Sequence, residues 1–276
     1  MRILDTDLEE EIQDRIVKPL SQREYDSAIR NIPDILDELY AKIPDSKRGS
    51  YGMVYTLRVL SDHLYSRLVK IDAQVYRIAS DMFEKSSDFK AKGVSLGILS
   101  LYGLGDCERV LPYFKSAAAS PCWQVRELAQ MFFRKLIKEY PDEMKEYLLG
   151  LVKSEDPNVR RFVGETLRPV GENRWFYKNP DYPLSVLRNM FKESSPYPRT
   201  SVGNNLSDLA RQCPELVYDL VRELVESGDR NSYWIAYRAC RNLVRKDPIK
   251  VMNLLKADEY RYKERIHRRS KHSGNE

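Results

Sequence analysis

Cysteine is scarce and scattered. Four residues, Cys107, Cys122, Cys213 and Cys240, are spread over 276 positions. They form no C-x-x-C pair and no cysteine–histidine cluster at zinc spacing. That argues against a disulfide framework and a zinc site, so neither metal nor cofactor is expected. The thiols read as buried side chains in a reducing compartment. Long apolar runs are missing too: none approaches the roughly 18–20 residues that a membrane helix needs. The acidic opening, Met1 to Asp14, has no signal-peptide core. The expectation is a cytoplasmic monomer without a membrane partner. No extended apolar–polar alternation calls for strands.

What is present is charge and helical periodicity. Charged residues make up 32% of the chain and apolar residues 42%, the balance of a helix-rich protein with much exposed surface. The net charge is +5, unevenly placed. The first 50 residues carry −4 and the remaining 226 carry +9. A positive body points to a polyanionic partner, though ordinary surface charge gives the same balance.

Proline and glycine punctuate the helical patterns. The spacing predicts helices over Leu8–Pro19, Tyr25–Ala41, Ser50–Val69, Ala73–Glu84 and Lys90–Tyr102, with a turn at Gly103 and Gly105. From Pro121 a repeat emerges. Val159-Arg-Arg-Phe-Val-Gly-Glu-Thr-Leu167 matches Pro198-Arg-Thr-Ser-Val-Gly-Asn-Asn-Leu206 at arginine, valine, glycine and leucine. Arg126, Arg160, Arg199 and Arg238 follow one another at steps of 34, 39 and 39 residues, the period of HEAT-type helix pairs. Partner helices are expected over Asp142–Lys153, Pro183–Phe191 and Pro214–Val225. The fold class is therefore all-α: a HEAT-like helical-repeat solenoid with a concave basic groove. It is read as one domain over 1–276, with N-terminal helices to 119, repeats over 120–255 and a basic tail over 256–276.

Small residues at one repeat position (Ala129, Gly164, Gly203 and Ala239) allow close helix approach. The recurring arginines either line the inner face or cap neighbouring helix ends and pair with acids between repeats. The tail carries Arg261, Lys263, Arg265, Arg268, Arg269 and Lys271. It reads either as a phosphate-contacting segment or as a frayed, solvated helix end. Three carboxylates stand beside anchor arginines: Glu127, Glu165 and Asp208. Parallel stacking of the second helices would let them converge.

The run Val159–Pro169, with Arg160-Arg161, Glu165 and Arg168-Pro169, resembles a motif of the DNA alkylation repair family. These are the HEAT-like alkylpurine DNA glycosylases, and the likeness is closer to the C-type, AlkC-like branch. Ser195–Leu209, ending on Asp208, is similar to the second signature. Trp234 through Arg245 is similar to the third. The likeness covers roughly residues 120–255, and residues 1–119 carry no matched motif.

The resemblance implies an enzyme that excises N3- or N7-alkylated purines, already cationic, from duplex DNA without flipping the base. It implies Asp208 as the principal carboxylate, with Glu165 and Glu127 beside it. Trp123 and Trp175 are candidates for cation–π contact with the lesion, with packing between repeats as the other reading of Trp175. Arg126, Arg160, Arg161, Arg168, Arg199, Arg238 and Arg241 would hold phosphates, while Arg168 could instead fix the turn at Pro169. Thr200 stands where the branch has a second arginine, and Val170–Trp175 replaces a shorter Arg-Leu-Pro-Trp run. The extra C-terminal module of many C-type members has no room in this chain. Two other functions fit the same scaffold: a catalytically weak binder of damaged or branched DNA, and a generic HEAT protein-interaction scaffold.

Overall fold

The computed structural model describes residues 3–49 and 52–268. They pack as two compact units, one over Met1–Pro141 and one over Asp142–Glu276. In the first, α1 (Thr6–Ile12) runs through a π-helical turn at Gln13–Val17 into α2 (Lys18–Ser21). Then come α3 (Tyr25–Ala41), α4 (Asp45–Arg48), α5 (Met53–Lys70), α6 (Val75–Lys85), α7 (Phe89–Tyr102), α8 (Cys107–Ala118) and α9 (Trp123–Glu139). The second holds α10 (Pro141–Leu151), α11 (Pro157–Thr166), α12 (Asp181–Leu187), α13 (Pro196–Leu209), α14 (Pro214–Glu226), α15 (Arg230–Ala239) and α16 (Pro248–Leu255). Short 3₁₀ turns at Gly171–Tyr177 and Arg188–Met190 flank α12. The fold is all-α and built of HEAT-like helical repeats, closed by a small hairpin of β1 (Glu259–Tyr262) and β2 (Arg265–Arg268). Among the described residues no helix is long and apolar enough to cross a membrane.

One local device starts each repeat helix. Two residues before the N-cap, a serine hydroxyl accepts the N-cap backbone N–H: Ser86 from Asp88 (3.0 Å), Ser120 from Cys122 (3.2 Å), Ser154 from Asp156 (3.3 Å) and Ser227 from Asp229 (3.3 Å). In the α13 copy the Glu193 carboxylate does this for Ser195, at 2.8 Å. Asp88, Asp156 and Asp229 then cap the first turn with their own carboxylates, satisfying N–H groups that have no partner within the helix. The helices begin at residues 89, 123, 157, 196 and 230. The repeat thus reaches back to Ser86, one copy earlier than the arginine spacing shows.

These helices pack side by side, α7 on α9 in the first unit and α11 on α13 and α13 on α15 in the second, and α5 packs on α7 in the same way. Their small residues set the approach. A Cβ on Gly164 would stand 2.9 Å from the Ser201 Cβ, and one on Gly203 would stand 2.8 Å from the Arg238 Cβ. Fully buried Ile32, Leu60, Phe114 and Phe133 fill the first unit, and Phe176, Val202, Leu206 and Leu243 the second. Each such side chain is worth about 1.5–3 kcal/mol relative to exposure.

Three features depart from the sequence reading. Helix α8 was not expected, and it carries Pro112 inside it. Of the four cysteines only Cys240 is buried; the other three are half-buried. The described part of the tail is neither helical nor frayed. Glu259 pairs with Arg268 and Tyr262 with Arg265 across the hairpin, and Tyr260, wholly buried, stacks on Tyr237 at 4.4 Å. Arg269 and Lys271 lie outside the described residues.

Candidate functional site

The repeat places arginines at two levels along its helices, and they do different things. At the fourth residue of α9, α11 and α13 stand Arg126, Arg160 and Arg199. Each folds back over the start of its own helix. Arg126 donates to the carbonyls of Ser120 and Pro121 at 2.6 and 3.0 Å. Arg160 donates to those of Ser154 and Glu155 at 2.8 and 2.9 Å, and grips both carboxylate oxygens of Glu193 at 2.7 and 3.0 Å. Arg199 reaches the Ser194 carbonyl at 3.5 Å, bonds the Asn231 side chain, and lies 4.8 Å from the Trp234 ring. Their guanidiniums are engaged with loop carbonyls and neighbouring side chains, the kind of contact that the sequence held open for them beside a place on the inner face.

Arg238 is not an anchor at all. The fourth residue of α15 is Tyr233, so the last step between anchor positions is 34 residues, not 39. Arg238 is the ninth residue of α15 and lies flat against Gly203, donating to the Asn204 side chain at 2.9 Å. Burial pulls its pKa below the usual guanidinium range.

Toward the other end of α11 and α13 the two acids meet. Arg168 lies just past α11 and bridges them. It donates through Nε and Nη2 to Asp208 Oδ2, at 2.8 Å from Nε, and through Nη1 to Glu165 Oε2 at 3.1 Å. The Asp208 side chain is 1% exposed and that of Glu165 is 5% exposed, so both carboxylates depend on partners rather than water. Ser201 donates to Glu165 Oε1 at 2.7 Å, and Arg161 stands 3.8 Å from the same oxygen while covering the Tyr197 ring. Arg211 approaches Asp208 Oδ1 at 3.2 Å and Arg241 at 3.5 Å. Burial works against the charge on Arg168, but Glu165 and Asp208 outweigh it and its pKa rises.

Two tyrosines border the knot. The Tyr177 hydroxyl donates to the Asp208 carbonyl at 3.4 Å, and its pKa is raised by burial and by the nearby Asp208 charge. Arg241 reaches the Tyr262 hydroxyl at 3.4 Å, and this bond lowers the Tyr262 pKa. Sequence reasoning passed over Arg211, Tyr177 and Tyr262. Only Arg211 left a signal, three residues beyond Asp208 on the same turn.

The remaining candidates make other contacts. Glu127 belongs to the first unit, where the Gln130 side chain donates to it at 2.7 Å and is in turn held by Arg134. Trp123 opens α9 and is 60% exposed, which leaves its ring face available. Trp175 is half-buried in an aromatic cluster with Phe176 at 4.5 Å and Tyr182 at 5.0 Å. That is the packing place allowed for it by sequence. Thr200 turns back on its own helix to the Pro196 carbonyl at 2.7 Å. Among the described residues no group of three or more histidine, cysteine or acidic side chains is arranged to hold a metal.

No protein-family profile matches the chain, and no curated protein matches it in sequence. Solved structures do. The alkylpurine DNA glycosylase AlkC of Pseudomonas fluorescens, bound to DNA containing an abasic site analogue, is similar with a TM-score of 0.59 at 18% identity, over 91% of this chain and 69% of that one. AlkD2 from Streptococcus mutans is similar at 0.54 and 16%, over 75% of this chain and 98% of that one. The protein smu.31 of Streptococcus mutans UA159 is similar at 0.51 and 17%, over 67% and 98%. The chain therefore has the HEAT-like helical-repeat fold seen in the alkylpurine DNA glycosylase AlkC and in AlkD2.

Proposed function

We propose that this protein is a DNA-repair glycosylase that releases N3- or N7-alkylated purines from duplex DNA, with Asp208 as the principal carboxylate and Glu165 beside it. The observation that carries the reading is the pairing of these acids. Two buried carboxylates from neighbouring repeat helices are held by one guanidinium, on a fold shared with a glycosylase solved on DNA. An acid pair of this kind opposes the binding of a polyanion, so an anion-binding face that keeps one has a chemical use for it.

An alkylated purine is already cationic and leaves without a general acid. As the N-glycosidic bond breaks, positive charge develops on the deoxyribose. The electron pair of that bond stays with the departing purine and makes it neutral; a fixed anion stabilises the sugar's charge and aligns a water, which forms the new C–O bond and gives up its proton to the carboxylate. Arg168 fixes Oδ2 of Asp208, leaving Oδ1 as the working oxygen. Oδ1 is covered by Arg211, whose side chain is 58% exposed, and by the longer contact from Arg241. Strand phosphates attract both arginines, and their departure uncovers Oδ1 toward the sugar. Trp123, exposed at the start of α9, is the aromatic candidate for contact with the cationic base.

A second reading is favoured by the same burial. With three arginines closed over Asp208, the protein would bind damaged DNA without excising anything. Incubation with methylated duplex DNA separates the two. Free 3-methyladenine or 7-methylguanine supports the enzyme. Duplex binding with no base released supports the binder.

A further inference from the structure

A cleft of about 450 Å³ lies between the segment that follows α15 and the hairpin. Arg241, Arg245, Lys263 and Arg265 line it, together with Tyr262 and His267, and Glu264 is the one acid among its lining residues. Four cations around one small cleft repel one another unless an anion joins them. Arg245 and Arg265 are exposed and have no ion-pair partner among the described residues. The hairpin that brings Lys263 and Arg265 there is firmly seated. Tyr260 donates to the Tyr237 carbonyl at 3.0 Å, and the Tyr237 hydroxyl bonds the Arg261 backbone on both its carbonyl and N–H sides. Lys263 turns the hairpin with φ 54, a conformation that a residue with a side chain adopts at a cost. The cleft also borders the acids, because Arg241 lines it and touches Asp208 Oδ1.

We propose that this cleft seats a backbone phosphate of the DNA strand, with Arg245 and Arg265 as its principal partners and Arg241 shared between that phosphate and Asp208. The proposal rests on the DNA reading above and adds a defined phosphate site to it. A phosphate here draws Arg241 toward itself and away from Asp208, so strand binding and exposure of the carboxylate become one event.

The test is the salt dependence of duplex affinity, read by fluorescence anisotropy with a labelled duplex. For the double variant Arg245→Ala, Arg265→Ala, binding weakens roughly tenfold and the slope of log K against log salt falls by about 1, for the one phosphate no longer neutralised. Arg222→Ala, at an exposed position of α14, leaves both unchanged. Arg245→Gln alone lies outside the hairpin and weakens binding by about threefold with a shallower slope, which keeps the test valid even where the double change loosens the hairpin. Wild-type affinity and slope in both variants overturn the phosphate site while the DNA reading stands. No duplex binding by the wild type overturns both. Thymidine 5′-phosphate is the second probe: if the wild type binds it, the variants lose it, and duplex affinity does not change, the cleft serves a free nucleotide and the strand assignment is wrong.

Discussion

The two levels of arginine in the second unit are made of the same residue type, one in the first turn of the repeat helices and one just past their ends, yet they meet different partners. At the N-terminal level, Arg160 and Arg199 bond loop carbonyls and neighbouring side chains and hold the repeat's own turns. Toward the C-terminal level, Arg168, Arg211 and Arg241 surround a carboxylate that is 1% exposed. The first level satisfies backbone groups that any HEAT-like turn leaves over. The second concentrates charge around a buried carboxylate, where the proposed chemistry is placed.

The largest effect that tests this contrast is on stability. Arg168→Ala leaves Glu165 and Asp208 buried without their shared cation, and is expected to cost about 3–5 kcal/mol of unfolding free energy. Arg126→Ala removes contacts to the Ser120 and Pro121 carbonyls and is expected to cost about 1 kcal/mol. Denaturant midpoints measure both, and equal losses would erase the distinction between levels. Gly203→Ala comes next. Its new Cβ meets the first atoms of the Arg238 side chain, not its flexible end, so about 1–3 kcal/mol is expected. A wild-type melting temperature would show that α13 and α15 can part.

A smaller effect appears in acid. Arg160 and the Ser195 N–H hold Glu193 below the ordinary carboxylate value of 4.5, against the opposing effect of its burial. A carboxylate with a depressed folded pKa adds stability above its unfolded pKa and loses it as pH falls through the folded one. The stability gap between wild type and Glu193→Gln should be full above about pH 5 and close progressively below the ordinary value. A gap that persists into strong acid would show that the bidentate clamp is not ionic. The smallest effect concerns Cys240, whose thiol burial pushes up to about 12. It should stay unlabelled by a thiol reagent at neutral pH, while half-buried Cys107 and Cys122 react.

Much of this was legible in the sequence. Tyr25–Ala41 is helical over the residues its periodicity indicates. Gly164 and Gly203 mark close helix approach, and Glu165 and Asp208 come together through Arg168. The rest was hidden for physical reasons. Arginine spacing located the repeat, but the signal that defines it is the serine, in one copy a glutamate, two residues before each cap. Serine is too common in turns to stand out, so the copy at Ser86 was missed and Arg238 was put in the wrong register. Pro112 interrupts the pattern of α8, although the helix tolerates it. The hairpin is too short for alternation to show, and its register depends on Tyr260 finding Tyr237. Arginine by itself does not say whether it caps a carbonyl, pairs with an acid or awaits a phosphate.

The most direct measurement compares wild type and Asp208→Asn for base release from methylated duplex DNA, with duplex affinity and melting temperature recorded on the same preparations. The account predicts loss of release by on the order of 10²–10³-fold in a folded protein that binds duplex as well as or better than wild type. Equal release by the two proteins would contradict it.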